Sequence, residues 1–399
     1  MTSLRFAVRA LALSLTLTAA GALCVVAPAS PAPAATSNAF SNPASPVGGQ
    51  QLAARGVIVN LAPGVPPPPA MPGASFVLAD MDTGQILVAR APHAPHLPAS
   101  TLKTLTALTL IPILDANTKI LVKPEDARVT GSHLGILPGT SYSVGTLLQG
   151  LLMVSGNDAA YALARGNHSV ATTLKAMNAT AAELGASDTV AKDPSGLDKV
   201  GQRSSAYDLA LIGRAAMKLP DFRRYVSRKQ AYLPGSRAAD GKLKSGSRIS
   251  SHNKLLYNYQ GAIGIKTGYT IAAKFTYVAA ATRGGKTYVV TQMASPQGSW
   301  RPVAAMLDWA FAHGTSVTPI GELVEPDDAA VSKPTASEPA LTAAGRPQSP
   351  SATTPHESAD EPALPVWVGV VGGVGAVGGI GALVLIGAGG RRNILRKRR

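Results

Sequence analysis

Three short clusters of residues, Ser100-Thr101-Leu102-Lys103, Ser155-Gly156-Asn157 and Lys266-Thr267-Gly268, together hold the groups that acyl transfer requires. A serine hydroxyl becomes a nucleophile when a nearby base takes its proton, and a lysine three residues on lies one helical turn away on the same face. To serve as that base, Lys103 must shed its own proton near neutral pH. Burial and a second cation both favour this, and Lys266 is the candidate cation. Ser155 and Asn157 offer a hydroxyl and an amide, while Lys266 and Thr267 offer an ammonium and a hydroxyl to a carboxylate, with Gly268 letting a ligand approach the backbone. Each cluster also has a plain structural reading: a helix N-cap for Ser100, an interhelical turn with Asp158 as the next cap, and a solvated strand end. A lysine in the first turn of an otherwise apolar helix opposes the helix dipole, however, so a functional cause is favoured. The order of the three clusters points to a serine-nucleophile enzyme.

The elements that would position these groups are legible around them. Ser75 to Asp80 and Gln85 to Arg90 are apolar runs on either side of Asp82-Thr83-Gly84, which predicts a β-hairpin. A second hairpin is predicted from Ala262 to Thr267 and Lys274 to Thr282, with Gly284-Gly285 as the turn and Lys286 to Met293 as the return strand. Between the hairpins the pattern is helical. Ser100 to about Ile111 is stopped by Pro112, Val144 to Val154 is capped by Ser143, and Asp158 to Ala164 ends at Gly166. Ser169 to Leu184 ends at Gly185, Ser205 with Asp208 resembles a helix-start box ahead of Leu209 to Leu219, and Trp300 to Ala312 closes the domain. The expected fold class is α/β in the α+β sense: an antiparallel sheet built from both ends of the domain, flanked by helices and joined to a helical lobe.

Composition bounds where the chemistry occurs. Residues 1–34 read as a secretory signal, with Arg5 and Arg9 before an apolar stretch and Ala27-Pro28-Ala29 or Ala32-Pro33-Ala34 as a cleavage site. The single cysteine, Cys24, falls inside that signal, so the exported chain offers neither disulfide nor thiol nucleophile. Residues 35–72 and 321–364 read as linkers, the first rich in Pro and Ala, the second in Pro, Ser, Thr, Ala and acids. Residues 365–388 form an uncharged stretch long enough to cross a bilayer, and the basic tail 389–399 that follows is expected to stay in the cytoplasm, which leaves the catalytic domain, 73–320, outside a cell membrane. From Ala70 to Ile320 there are 26 Lys and Arg against 14 Asp and Glu, a surplus suited to an anionic wall polymer, though lipid headgroups, nucleic acid or simple solubility fit it too. Export favours the wall and argues against a nucleic-acid partner.

The longer stretches Pro98-Ala99-Ser100-Thr101-Leu102-Lys103-Thr104-Leu105-Thr106-Ala107-Leu108, Ser155-Gly156-Asn157-Asp158-Ala159-Ala160, Asp193-Pro194-Ser195-Gly196-Leu197 and Gly264-Ile265-Lys266-Thr267-Gly268-Tyr269-Thr270 carry a family resemblance. The chain resembles the serine D-alanyl-D-alanine carboxypeptidases, low-molecular-mass penicillin-binding proteins related in fold to class A β-lactamases. The resemblance implies that Ser100 attacks the carbonyl between two terminal D-alanines of a peptidoglycan stem peptide, that Lys103 accepts its proton and that Ser155 relays a proton to the departing D-alanine. It implies that Asn157 holds Lys103 and the substrate amide, that Lys266 and Thr267 bind the terminal carboxylate, and that the backbone amides of Ser100 and Tyr269 form the oxyanion hole. It also implies β-lactam antibiotics as covalent inhibitors and no metal or organic cofactor.

The departures matter too. Ala273-Lys274 stands where the family usually has a glycine after the alanine, and the β-rich domain that follows the catalytic domain in some relatives has no counterpart. A class A β-lactamase would need a Glu to activate the deacylating water, whereas the stretch from Asp193 to Gly201 offers Asp193 and Asp198. A catalytically idle wall-binding or penicillin-sensing protein is a further alternative, against which the intact clusters argue, and a transpeptidase or endopeptidase differs only in acceptor or peptide bond. His252 and Asn253 are equally suited to lining the groove or to ordering the strand that follows. His93, His96, His133, His168 and His313 show no ligand spacing, so no metal is expected, and Trp300 and Trp309 are expected to pack.

Overall fold

In a computed structural model, which describes residues 46–325 apart from 238–240 and 242, the two predicted hairpins meet in one antiparallel sheet. Its strands are β1 (Val57–Ile58), β2 (Ser75–Asp80) and β3 (Gln85–Arg90) from the N-terminal side. The helical segment follows, with α1 (Lys103–Leu110), α2 (Val144–Met153), α3 (Asn157–Gly166), α4 (Val170–Glu183), α5 (Ala206–Lys218) and α6 (Pro220–Val226). The chain then returns as β4 (Ala262–Thr270), β5 (Lys274–Arg283) and β6 (Lys286–Ser295), followed by α7 (Arg301–His313) and a short strand, β7 (Gly321–Glu322). The order across the sheet is β1-β3-β2-β6-β5-β4, with β7 pairing β3, so the strand that begins the domain proper, β2, lies hydrogen-bonded beside the last long one, β6. The fold class expected from the sequence is the one observed.

Strand alternation divides the core in two. Val77, Ala79, Val278, Ala280 and Val289 face the helical segment, where Leu209, Ile212 and Leu105 are buried with them. Phe76, Leu78, Tyr277, Ala279 and Val290 face the other way and pack on α7 through Val303, Met306, Leu307 and Ala310. Covered on both faces, β2 is buried along its whole length, as a central strand should be. Inside the helical segment α1 is in contact with α2, α4 and α5 and is buried at every residue, which is why its sequence beyond Lys103 is apolar or threonine all round. The predicted caps Ser143 and Ser205 hold, their hydroxyls accepting from the backbone amides of Thr146 and Asp208, and Ser169 caps α4 in the same way through Thr172. Trp309 packs as expected, its indole N–H donating to the Pro66 carbonyl at 2.9 Å.

Three boundaries differ from the sequence reading. Ser100 does not open the α-helix; it lies in a 3₁₀ turn, Ala99–Leu102, and Lys103 begins α1. The N-terminal linker reading stops short of residue 46, because Leu52 is 1% exposed and Met71 5%, and β1 pairs with β3. At the other end β7 joins the sheet and Leu323 and Val324 are buried, so the domain runs beyond Ile320. A few apolar residues in a Pro- and Gly-rich stretch suffice to dock it when a sheet edge supplies the backbone partners. Signal 1–34, the acidic linker beyond Glu325, the apolar stretch 365–388 and the basic tail 389–399 lie outside the described residues; among the described residues no helix is long and apolar enough to cross a membrane.

Candidate active site

The site forms where the 3₁₀ turn before α1 meets the turn between α2 and α3 and the outer strand β4. Lys103 is fully buried, and its ammonium nitrogen lies 2.9 Å from Ser100 Oγ, 2.7 Å from Asn157 Oδ1 and 2.6 Å from the Ser195 carbonyl. Three acceptors satisfy the three N–H bonds of an ammonium. On deprotonation two suffice, and if Asn157 Oδ1 and the Ser195 carbonyl keep the two remaining N–H bonds, the lone pair is left facing the serine hydroxyl. Burial holds the Lys103 amine well below the ordinary lysine range, and the neighbouring charge of Lys266 lowers it further, while Asp193 and Asp158 pull the other way. Lys266 is 2% exposed; burial alone brings its amine down to about 7, and its Nζ donates to the Thr267 carbonyl at 2.8 Å.

Each partner is itself fixed. Asn157 opens α3, and its amide nitrogen donates to the Thr130 carbonyl at 2.6 Å, which turns the carbonyl oxygen toward Lys103. Ser155 precedes it in a left-handed backbone conformation, φ 62°, a strained setting that places its side chain on the wall of the cleft. Asp158 is fully buried and accepts from the amides of Leu134, Gly135 and Ile136, tying the loop that supplies Thr130 and Ser132 to the start of α3. Ser195 presents its carbonyl because Asp193 Oδ1 accepts from its amide and hydroxyl at 2.7 and 2.6 Å. Gly196 follows at φ +83° with the Ala99 carbonyl oxygen 1.9 Å from where a Cβ would stand, so a side chain there has no room.

On β4, a Cβ at Gly268 would lie 2.7 Å from the amide nitrogen of Ser100 and 2.9 Å from that of Thr101. The glycine brings the strand up against the amides beside the serine, so the Ser100 N–H and the strand backbone leading into Tyr269 line the same corner. Lys274, at the position where the family usually has glycine, adopts a left-handed backbone, φ 57°, the conformation that glycine takes without strain.

The open cleft has a volume of about 370 Å³, and its lining includes Ser100, Ser155, Thr267, Gly268 and Tyr269. Lys103, Asn157 and Lys266 lie beneath this surface, at most 3% exposed. Thus the structure brings together all seven side chains and glycines singled out from the sequence. It adds others that sequence spacing did not reveal: the Ser195 carbonyl, Ser132, Lys254, and an aromatic flank of Phe275, Tyr277 and Trp300. The Asp193-to-Leu197 stretch was the available signal for Ser195. His252 lines the cleft, and burial and Lys266 lower its imidazole below the usual value, whereas Asn253 is a buried tie that accepts from Leu255 N and the Tyr277 hydroxyl. Trp300 faces the cleft as well as closing the fold. Asp193 is spent on Ser195, Tyr161 and Leu197, and Asp198 accepts from Thr270, so neither carboxylate stands in the cleft as a water-activating base. A larger cavity, about 650 Å³, is lined by Arg214, Lys218 and Met217 and contains none of these groups; the chemistry identifies the smaller one.

Comparison with known proteins gives the family. The profile of the D-alanyl-D-alanine carboxypeptidase family matches residues 64–296. The chain is 38% identical over 253 residues to the D-alanyl-D-alanine carboxypeptidase DacB2 of Mycobacterium tuberculosis, covering 62% of this chain and 84% of that protein. Among solved structures, a D-alanyl-D-alanine carboxypeptidase from Mycobacterium tuberculosis superposes with a TM-score of 0.61 at 39% identity, over 66% of this chain and all of that one. The Streptomyces K15 DD-transpeptidase superposes with a TM-score of 0.59 at 29% identity, over 62% of this chain and all of that one.

Proposed function

From the D-alanyl-D-alanine carboxypeptidase family, to which this chain belongs, we propose that the protein removes the terminal D-alanine from peptidoglycan stem peptides through an acyl-enzyme on Ser100. The observation that carries this reading is the buried Lys103 amine 2.9 Å from the Ser100 hydroxyl, with its other donors occupied by Asn157 and Ser195. Neutral Lys103 takes the hydroxyl proton as Ser100 Oγ attacks the carbonyl between the two D-alanines. The oxyanion that forms is held by the backbone N–H groups of Ser100 and Tyr269. The tetrahedral centre collapses, the C–N bond breaks, and the departing D-alanine amine receives a proton relayed by Ser155. Water then hydrolyses the ester and the proton returns through Lys103. Lys266 and Thr267 hold the terminal carboxylate, which places the scissile carbonyl over Ser100.

β-Lactams present a carboxylate and a strained amide to the same groups, and they acylate the same serine. The cleft also suits the aminolytic variant of the reaction, in which an amine replaces water as acceptor. We further infer that the protein is exported and held at the cell membrane by 365–388 with 389–399 inside, an inference supported by the sequence pattern of those segments.

The test is intact-protein mass spectrometry of the purified full-length protein after benzylpenicillin, alongside D-alanine release from a pentapeptide. The expected result is one penicilloyl adduct on Ser100 and D-alanine release, both lost in Ser100→Ala. An adduct that persists in Ser100→Ala overturns the mechanism. Rapid turnover of the penicillin with no D-alanine release would instead mark a β-lactamase, and a stable adduct with no release an idle binding protein.

A further inference from the structure

We propose that His93, Asp188 and Asp208 form a divalent-cation site of the zinc class, separate from the acyl-transfer cleft. The three residues are far apart in sequence, and their spacing matches no ligand pattern. The fold nevertheless brings one ring nitrogen and one oxygen from each carboxylate to within 4.8 Å of one another. The edges of a tetrahedral zinc site are about 3.4 Å, from metal–ligand bonds near 2.1 Å, so side-chain adjustments of about an ångström complete it.

The supporting shell is what distinguishes this cluster from acids that merely happen to be close. His93 Nε2 lies 3.0 Å from the Val47 carbonyl, which can only accept, so Nε2 carries the hydrogen. Nδ1 then faces Asp188 Oδ2 at 2.8 Å. In the neutral ring Nδ1 is a lone pair aimed at a carboxylate, an arrangement that either a second ring proton or a bound cation satisfies. A backbone carbonyl holding the far N–H of a ligating histidine is the usual way a protein fixes the metal-binding tautomer. Asp208 is fully buried; its Oδ2 accepts from the Thr189 hydroxyl at 2.7 Å, and its Oδ1 has no hydrogen-bond partner among the described residues. Among the described residues no Lys or Arg pairs with either carboxylate. An uncompensated buried carboxylate oxygen is costly, and a bound cation removes that cost.

One imidazole and two carboxylates suit zinc better than calcium or magnesium, which take oxygen shells of six or more. His93 and Asp188 side chains are 19% and 26% exposed, so solvent reaches the site and supplies the remaining position. A bound ion would join the segment after β3, the segment after α4 and the first turn of α5, and through Val47 the N-terminal strap. Its effect is therefore on stability.

The test uses the purified full-length protein, stripped with EDTA and titrated with zinc chloride against a chromophoric zinc chelator, with melting temperature read in parallel. The expected result is one zinc ion per chain and a melting temperature several degrees higher with zinc. In Asp208→Asn the affinity should fall at least about tenfold and the melting temperature should no longer respond to zinc. His93→Gln, changed at a partly exposed ring, should behave in the same way and serves if Asp208→Asn does not fold. Absence of stoichiometric zinc in the wild type overturns the proposal, as does an undiminished response in either folded variant; the ring is then held by a proton alone.

Discussion

Two buried lysines with different surroundings divide the work of one site. Lys103 is held well below the ordinary lysine range by burial and by Lys266, against the pull of Asp193 and Asp158, whereas Lys266 is depressed by burial alone, to about 7. In the proposed mechanism the productive form is a neutral Lys103 base beside a charged Lys266 that receives the carboxylate. It gains population as Lys103 deprotonates and loses it as Lys266 deprotonates, so kcat/KM on a D-Ala-D-Ala peptide should rise on the acid side and fall above about 7. A bound carboxylate favours the charged form of Lys266, so the falling limb of kcat should lie at higher pH than that of kcat/KM. The guanidinium of Lys266→Arg does not deprotonate in this range; the variant should lose the falling limb near neutrality, at a cost of roughly tenfold or more in kcat/KM because its fork does not reproduce the ammonium's geometry. pH–rate profiles of the two proteins decide this, and a limb that persists in the arginine variant belongs to another group.

At the scale of elements, the site depends on how closely β4 approaches the turn that carries Ser100. The controlling residue is Gly268, where a methyl group would stand 2.4 Å from Thr276 Oγ1 as well as 2.7 Å from the Ser100 amide. Gly268→Ala should therefore push the strand away and open the oxyanion corner, lowering the rate of penicillin acylation by about 10²-fold or more while the circular dichroism spectrum stays native. Acylation at the wild-type rate would show that the corner does not need this approach. The strands themselves were legible because β2, β3, β5 and β6 are apolar runs broken by Asp82-Thr83-Gly84 and Gly284-Gly285, and the main helices because serine caps and glycine stops bracket them. The 3₁₀ turn at Ser100 was not legible, since its sequence reads as helix and only the packing of β4 and Gly196 against it imposes the tighter form. Nor was α6, a seven-residue helix that follows α5 after one residue and begins at Pro220, just past the expected helix end at Leu219. The Ser195 carbonyl was beyond sequence spacing altogether: it meets Lys103 across 92 residues, and a backbone atom leaves no residue-type signature.

For the molecule as a whole, the ordered domain is larger than its motifs. The Pro- and Gly-rich stretch after residue 46 looks like a tether because so few of its residues are apolar, yet those few are placed where the sheet leaves an opening. Leu52 is buried beside Gly321, β1 adds to the sheet through β3, and Gly48 and Glu322 share a backbone hydrogen bond that ties the two sides of the domain together. Asn60–Leu61 pairs with Val317–Thr318 in the same sense, and Met71 and the Pro66 carbonyl anchor the strap against α7. Burial of Leu52 and Met71 alone contributes about 3–6 kcal/mol, before the strand pairing is counted. A chain beginning at residue 46 should thus melt close to the full-length protein, whereas one beginning at 73, where the sequence reading starts the catalytic domain, should melt lower by roughly 10 °C or more. Calorimetry of the two truncations makes the comparison. Because β2, the 3₁₀ turn and α1 all lie after residue 73, penicillin should still acylate the shorter chain at temperatures where it remains folded; equal melting temperatures would mean that the strap rests on the domain without holding it.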